Sequence, residues 1–284
     1  MKVAVVGAGL IGGSFEKASR RAGHAVALLH HGDAAGFEEA ELILVCLPPP
    51  AIVPWVRVHA AAFRPGALVV DICGVKRAVM RDMAAVPRGD WTFVGGHPMA
   101  GREVAGYANA RADLFVGASM VLTPFDGTPP EALEALRAYF ASVGFAATVV
   151  TTAARHDEMI AFTSQLCHVI ATTYARDPRV KDAIGFSAGS YANMTRIATQ
   201  NAADWSALYA GNRDALVEVL DGFAARFRDL RDAIARDDRA AVARLIEEGA
   251  AAKRQELRLK RADPAGRPVQ DQIPRRGRAP SAAF

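Results

Sequence analysis

One histidine stands where a strand is predicted to end. The segment GGHPMAGRE, residues 95–103, leaves an apolar run and turns at once through small residues around His97. Histidine is the side chain whose ordinary pKa lies closest to neutral pH, so it can take a proton from a hydroxyl group under physiological conditions. His97 is therefore our candidate general base. The alternative is a core histidine whose ring is bonded to the backbone.

A second chemical signature lies at the start of the chain. The sequence GAGLIG, residues 7–12, follows an apolar run and precedes a helical pattern, which is the setting in which a GxGxxG motif indicates dinucleotide binding rather than a Gly-rich turn without a ligand. Gly7 permits the tight bend, Gly9 lets a pyrophosphate approach the backbone, and Gly12 lets helix and strand pack closely. We expect the whole motif to bind NAD or NADP: Gly7, Ala8, Gly9, Leu10, Ile11 and Gly12.

The next two strand ends bear on which cofactor binds. NAD-binding folds usually carry an acid at the end of the second strand, but here that strand runs into His30 and His31, and Asp33 comes late. Protonated histidines can accept the 2′-phosphate of NADP, and they can equally be surface residues, so the choice between NAD and NADP stays open.

The third strand ends in three prolines, which cannot continue a ladder. Leu47 and Pro48 should therefore lie at the carboxyl edge of the sheet, beside the cofactor.

The elements that must hold these residues follow from hydrophobic patterning. Short β-branched runs alternate with helical segments in the first half, which predicts a parallel sheet covered on both faces. The predicted strands are residues 3–6, 25–29, 42–46, 67–71, 92–95 and 118–122, and the predicted helices are residues 10–22, 51–62, 76–85, 130–143, 153–176, 187–200, 204–235 and 237–258. The fold class is therefore α/β, with a Rossmann-type doubly wound sheet in residues 1–152 and an all-helical domain in residues 153–258.

Composition and charge limit the partners. The chain has 284 residues, of which 51% are hydrophobic, but no apolar run is long enough to cross a bilayer and the N-terminus lacks the apolar core of a signal peptide. The net charge of +4 is concentrated in a basic tail, residues 259–284, which we expect to be disordered. Three cysteines lie far apart without a CxxC pair. We expect a cytoplasmic protein with no metal, no membrane partner and no nucleic-acid partner.

Five motifs in order resemble one enzyme family. They are GAGLIG, DICGVK at residues 71–76, GGHPMAG at 95–101, SQLCH at 164–168, and TRIA followed by Trp205. Together they resemble the prephenate/arogenate dehydrogenases of tyrosine biosynthesis, over residues 1 to about 255. The resemblance implies oxidative decarboxylation of prephenate to 4-hydroxyphenylpyruvate, or of arogenate to tyrosine, with hydride transfer to NAD(P). It also implies an active site in the cleft between a nucleotide-binding domain and a helical domain that dimerises.

The resemblance assigns roles to individual residues. It makes His97 the base that takes the proton of the substrate hydroxyl, and Arg196 the residue that binds a substrate carboxylate, for which a guanidinium offers two parallel hydrogen bonds. Trp205 joins the substrate-binding set through its place in the last motif. Lys76, near the end of the fourth strand, is predicted to pair either with the substrate or with Asp71.

Three further candidates lie on one predicted helix. Ser164, Gln165 and His168 are separated by three or four residues, so they share a helix face. In the family this face contacts the substrate, and His168 matches a substrate-contacting position. The alternative is a set of polar residues that bridge neighbouring helices.

The sequence departs from the family pattern at three positions. Family members often have Ser where Gly74 stands, and that hydroxyl steadies the catalytic imidazole, so another group must orient His97 here. Arg102 and Asn193 stand where some relatives have Thr and Asp, which alters the ion pairs around Glu103. The neutral Asn193 favours prephenate over arogenate.

Two other functions stay open on the sequence alone. The β-hydroxyacid and imine reductases have similar helical domains but usually need a lysine on the long interdomain helix, and residues 153–176 contain none. A non-catalytic dinucleotide-binding sensor would bind NAD(P) without any prephenate-dependent reduction. Whatever the function, the helices of residues 204–258 carry apolar side chains on more than one face. This pattern predicts a homodimer formed through these helices.

Overall fold

A seven-stranded sheet forms the first half of the chain. The computed structural model describes residues 1–33, 35–87 and 89–262. The strands are β1 (Lys2–Val6), β2 (Ala25–Leu29), β3 (Leu42–Val45), β4 (Leu68–Asp71), β5 (Thr92–Pro98), β6 (Ser119–Pro124) and β7 (Ala147–Val150), in the spatial order β2-β1-β3-β4-β5-β6-β7. The helices of this half are α1 (Leu10–Arg21), α2 (Pro49–His59), α3 (Arg77–Met83) and α4 (Pro130–Ser142). The predicted Rossmann-type sheet is confirmed.

The strand directions place one functional edge. β1 to β5 are parallel to one another, so the carboxyl ends of β1, β3, β4 and β5 meet at the same edge. The sheet is mostly parallel, and the exception is β6, which is antiparallel to β5. A parallel connection needs a crossover helix, and residues 99–118 contain only the short 3₁₀ turn Tyr107–Asn109. β7, which pairs parallel to β6, was missed by the sequence analysis.

Apolar layers cover both faces of the sheet. One layer is built around Trp55 and Phe63, and the opposite layer around Phe15, Phe115 and Phe140. The rings of Phe15 and Phe115 stack with their centroids 4.1 Å apart. Each large side chain buried in this way contributes about 1.5–3 kcal/mol. The edge where β1, β3, β4 and β5 end is therefore held by a rigid scaffold.

Helices alone form the rest of the described chain. They are α5 (Ala153–Ile160), a π-helical turn (Ala161–Gln165), α6 (Leu166–Ala175), α7 (Gly189–Thr195), α8 (Ala202–Gly211), α9 (Arg213–Ala235) and α10 (Arg239–Ala262), with 3₁₀ segments at Pro178–Asp182 and Arg196–Thr199. The predicted helix 204–235 is divided at Asn212, and the predicted helix 187–200 ends as a 3₁₀ segment. Helix α10 extends to residue 262, beyond the predicted end at 258; the remainder of the predicted tail lies outside the described residues.

Hydrogen bonds tie the helical half to the sheet. The amide of Asn212, between α8 and α9, donates to the carbonyl of Asp157 and to Oε1 of Gln165, both at 2.8 Å. The Asp157 carboxylate in turn accepts the backbone N–H groups of Lys76 and Arg77, again at 2.8 Å. Helix α5 is thereby fixed against the start of α3. Within the described residues, no helix combines the length and the apolarity needed to span a membrane.

Candidate active site

The glycine turn after β1 has the shape of a phosphate cradle. Gly7 has φ +107°, and a Cβ there would lie 2.4 Å from the Cys46 carbonyl oxygen; a Cβ on Gly12 would lie 1.8 Å from the Gly7 oxygen. Neither position admits a side chain without moving the backbone. Around Gly9 a Cβ would meet nothing within 4 Å, and no side chain caps the N-terminus of α1. Free N–H groups at a helix start bind anions, so the turn fits the pyrophosphate of NAD(P).

The neighbouring strand ends form the wall of this cradle. Leu47 is buried, with Cδ2 3.3 Å from the position of a Cβ on Gly7, whereas Pro48 is exposed and caps the start of α2. Both residues lie at the predicted edge. His30 and His31 are exposed, and Asp33 accepts a 2.7 Å hydrogen bond from the backbone N–H of His30. The carboxylate of Asp33 is thus held close to the end of β2.

His97 lies at the end of β5, on the edge that carries the glycine turn. Its Nδ1 is 2.9 Å from Nε2 of His156, and Nδ1 of His156 is 2.7 Å from Oδ1 of Asp157. His156 and Asp157 are buried, at 3% and 0% exposure, whereas His97 is half-buried. A Cβ on Gly74 would lie 3.7 Å from both Cε1 and Nε2 of His97. One ring nitrogen is therefore engaged by the protein, and the other faces a residue without a side chain.

The electrostatic surroundings keep this imidazole neutral. Burial lowers the pKa of His97 well below its ordinary value, and the neighbouring His156 and Lys76 lower it further. Burial also lowers the pKa of His156, although its hydrogen bond to Asp157 opposes this. A histidine with a lowered pKa stays unprotonated at neutral pH, which is the form that can accept a proton.

Lys76 does not face the cleft, contrary to the expectation of substrate binding. Its side chain is fully buried, and its ammonium group pairs with Asp71 and lies 3.3 Å from Sγ of Cys73. Although burial acts to lower it, the pKa of Lys76 is raised above its ordinary value by Asp71 and Cys73. The second sequence alternative, pairing with Asp71, is the arrangement observed. The Lys76 side chain therefore acts on His97 through its charge.

A cavity of about 480 Å³ lies between the loop after β5 and the helical half. His168 and Trp205 line it, with ring centroids 3.6 Å apart, together with Glu103. Glu103 forms an ion pair with Arg196, whose side chain is 61% exposed. Burial lowers the pKa of His168. The cavity thus presents an aromatic wall, a neutral imidazole and, at its border, a guanidinium whose present partner is largely solvated.

Helix α8 connects this cavity to His97. Trp205 and Leu208 are three residues apart and so share a face of the helix. Trp205 stacks on His168 in the cavity, whereas Leu208 Cδ2 lies 3.3 Å from the position of a Cβ on Gly74, next to the His97 ring. Helix α8 therefore has one residue in the cavity and another beside the His97 ring.

The candidates Ser164 and Gln165 lie in the π-helical turn. Gln165 is 2% exposed; its Oε1 accepts from Asn212, and its Nε2 donates to the Leu208 carbonyl at 3.3 Å. The expectation that Gln165 contacts substrate is not supported, because its amide bridges helices. Ser164 is half-buried. Gln165 is the last residue of the π turn and is buried, whereas His168, three residues further on in α6, lines the cavity.

Two functional residues were missed by the sequence analysis. His156 and Asp157 follow the start of α5 within an amphipathic pattern, and nothing in their spacing connects them to His97, which is 59 residues away from His156. The burial of both side chains, which marks them as partners of the site, is visible only in the structure. Among the described residues, no group of three or more His, Cys, Asp or Glu side chains is arranged to hold a metal ion.

Comparison with known families assigns both halves of the chain. The model of the prephenate dehydrogenase nucleotide-binding domain matches residues 5–150, and the model of the prephenate dehydrogenase dimerization domain matches residues 152–248. These two ranges cover most of the chain.

Individual relatives agree with this match. Cyclohexadienyl dehydrogenase of Zymomonas mobilis is 32% identical over 208 residues, which is 70% of each protein. Prephenate dehydrogenase of Bacillus subtilis is 26% identical over 72% of this chain, and the matched region is 56% of its own length. The crystal structure of Synechocystis arogenate dehydrogenase superposes with a TM-score of 0.77 at 27% identity, covering 90% of this chain and all of that one.

Proposed function

The chain belongs to the prephenate dehydrogenase family, and we propose that it oxidatively decarboxylates prephenate to 4-hydroxyphenylpyruvate. As a member of this family it is an NAD(P)-dependent dehydrogenase. The observation that carries the proposal is the position of His97 at the sheet edge that also carries the glycine turn, with Nδ1 engaged by His156 and no hydrogen bond to Nε2 among the described residues. A sensor without catalysis would have no use for a neutral imidazole at that place.

Residues of the chain supply binding and proton transfer. The glycine turn and Leu47 hold NAD(P), which supplies a nicotinamide ring that accepts hydride when it is bound. His97 Nε2 takes the proton of the ring hydroxyl as hydride leaves the ring carbon that bears this hydroxyl. The bond to the ring carboxylate then breaks, carbon dioxide leaves, and the bonding electrons make the ring aromatic. His97 returns its proton to the phenolate oxygen, so the base is regenerated.

The cavity supplies the contacts for the substrate side chain. Arg196 binds a substrate carboxylate after releasing Glu103, while Trp205 and His168 pack against the ring. Charge-assisted hydrogen bonds from a guanidinium to a carboxylate are strong and directional. Arg102 also lines the cavity and adds positive charge for a substrate with two carboxylates.

A second substrate, arogenate, is favoured by one observation. Asp204 lines the same cavity, and no described residue forms an ion pair or hydrogen bond with its carboxylate. A free carboxylate can bind the ammonium group that arogenate carries in place of the keto group of prephenate. The neutral and exposed Asn193, which favours prephenate, does not line this cavity.

One assay decides among these alternatives. Purified protein is mixed with each of the four pairs formed by prephenate or arogenate with NAD⁺ or NADP⁺, and the reduced nicotinamide is followed at 340 nm. The proposal predicts turnover with at least one pair that contains prephenate. Binding of NAD(P) without turnover of either substrate would contradict it and favour the sensor; turnover of arogenate alone would move the assignment to arogenate dehydrogenase.

We further propose a homodimer, with the chain divided near residue 152. The start of α5 at Ala153 supports the boundary, and the match to a dimerization domain supports the assembly. Large apolar side chains are exposed on α9 and α10, as Phe227, Ile234 and Ile246 are each more than 60% exposed. Such a face is normally covered, and we propose that a second copy of the chain covers it. A cytoplasmic location stays part of this proposal.

A further inference from the structure

The ring of His97 is held from one side by side chains that the reaction above does not use. His97 Nδ1 lies 2.9 Å from His156 Nε2, and His156 Nδ1 lies 2.7 Å from Asp157 Oδ1. The carboxylate cannot turn away, because it also accepts the backbone N–H groups of Lys76 and Arg77. These contacts form a chain of hydrogen bonds with a fixed end.

The fixed end determines the direction of each hydrogen bond. The Asp157 carboxylate already accepts two backbone N–H groups and acts here as an acceptor, so His156 must carry its proton on Nδ1 and donate it. Burial keeps His156 neutral, which leaves its Nε2 without a proton. His97 therefore donates its Nδ1 proton to His156. Since His97 is neutral as well, its Nε2 is the unprotonated nitrogen.

The other edge of the His97 ring has no side chain to orient it. A Cβ on Gly74 would be 3.7 Å from Nε2, but glycine supplies no hydroxyl group there. Leu208, the other neighbour of this position, is apolar. Orientation of the imidazole must therefore come from the Nδ1 side. The hydrogen bond to His156 is the contact available for it among the described residues.

We propose that His156, held by Asp157, is a positioning residue that fixes His97 in the tautomer with a bare Nε2 facing the substrate. The proposal rests on the proposed function for its catalytic consequence, but the tautomer itself does not. When Nε2 takes a proton, the hydrogen bond from Nδ1 to His156 stabilises the imidazolium, with Asp157 behind it. This contact opposes the unfavourable effects of burial and of the positive Lys76, whose own partner is Asp71.

Variants of His156 test the proposal. In His156→Gln the amide oxygen can accept the Nδ1 proton of His97 and the amide nitrogen can donate to Asp157, whereas His156→Leu can do neither. We expect His156→Leu to lower kcat about a hundredfold with little change in KM, because a wrong tautomer removes the base without removing binding contacts. His156→Gln should recover most of this loss. His24→Gln, a histidine far from the site that is bonded to Ser142, is the control.

Imidazole ¹⁵N NMR of the protein without substrate provides a direct readout, with His97→Asn identifying the resonance. The wild type and His156→Gln should show the Nδ1-protonated tautomer of His97, and His156→Leu a mixture. A wild-type His97 protonated on Nε2 would overturn the proposal, even if His156→Leu fails to fold. So would full activity in His156→Leu, or failure of His156→Gln to recover activity. If no substrate is turned over, the proposed function fails, and the tautomer is still decided by NMR.

Discussion

Replacing Arg196 by Gln removes the guanidinium that we assign to a substrate carboxylate. In the structure this group pairs with Glu103 at the border of the cavity, and the two side chains are 61% and 53% exposed. Substrate binding must replace one carboxylate partner of Arg196 by another. The cost of that exchange depends on how strong the internal pair is.

The magnitude follows from the exposure of the pair. A solvent-exposed ion pair contributes about 0.2–1 kcal/mol, so releasing Glu103 weakens substrate binding by at most about fivefold. A charge-assisted hydrogen bond to a bound substrate contributes about 1.5–3 kcal/mol. We therefore expect Arg196→Gln to raise KM about tenfold to a hundredfold, with kcat less affected. Glu103→Gln, which frees Arg196, should lower KM by up to about fivefold.

Initial rates at saturating NAD(P) with varied prephenate or arogenate provide the measurement. Arg111→Gln is a matched control, since Arg111 pairs with Asp113 at 57% and 49% exposure but does not line the cavity. An unchanged KM in Arg196→Gln would refute the assignment of the carboxylate contact. A rise in KM for Glu103→Gln would show that Glu103 itself binds the substrate, and would refute the exchange of partners.

Three further predictions concern the cofactor cradle, the base and the assembly. Gly9→Ala should weaken NAD(P) binding at least about tenfold in a fluorescence titration, because its methyl group enters the open space of the turn, and should leave the melting temperature unchanged. Gly12→Ala should weaken binding and also lower the melting temperature, because its methyl group clashes with backbone; equal melting temperatures of the two variants would contradict this. Because burial and Lys76 lower the pKa of His97 and the neutral ring is active, kcat/KM should fall on the acid side only below pH 6.5, and a fall centred above pH 6.5 would count against the base. Light scattering at micromolar concentration should give the mass of two chains, and Phe227→Asp, at an apolar position 63% exposed, should shift it toward one; a monomeric wild type would exclude the dimer.

Local patterns sufficed for the parts of the fold that depend on short-range chemistry. The glycine turn needs residues without Cβ atoms at Gly7 and Gly12, and this requirement is visible in the motif itself. The end of β3 shortly before three prolines could also be predicted, because proline cannot extend a ladder. His97 was found from its place at a strand end.

The rest depends on contacts between distant segments. The reversal of β6 follows from the missing crossover helix between residues 99 and 118, a signal that was present but not used. The position of Lys76 near the end of the fourth strand left its partner open between the substrate and Asp71, and only the structure shows that it is buried against Asp71. Gln165 was expected to contact the substrate, but Asn212 and the Leu208 carbonyl, both more than 40 residues away in sequence, engage its amide. The contact between His97 and His156 spans 59 residues and no local pattern predicts it.

Replacement of His97 by Asn tests the central claim most directly. Asparagine keeps a side chain that can donate to His156 but has no titratable nitrogen to accept the hydroxyl proton. NAD(P) binding, followed by fluorescence, and KM should stay close to wild type, because His97 is not part of the glycine turn or the cavity wall. The account predicts a loss of kcat of about 10² or more, the scale of a general base. A His97→Asn protein with near-wild-type turnover would contradict it.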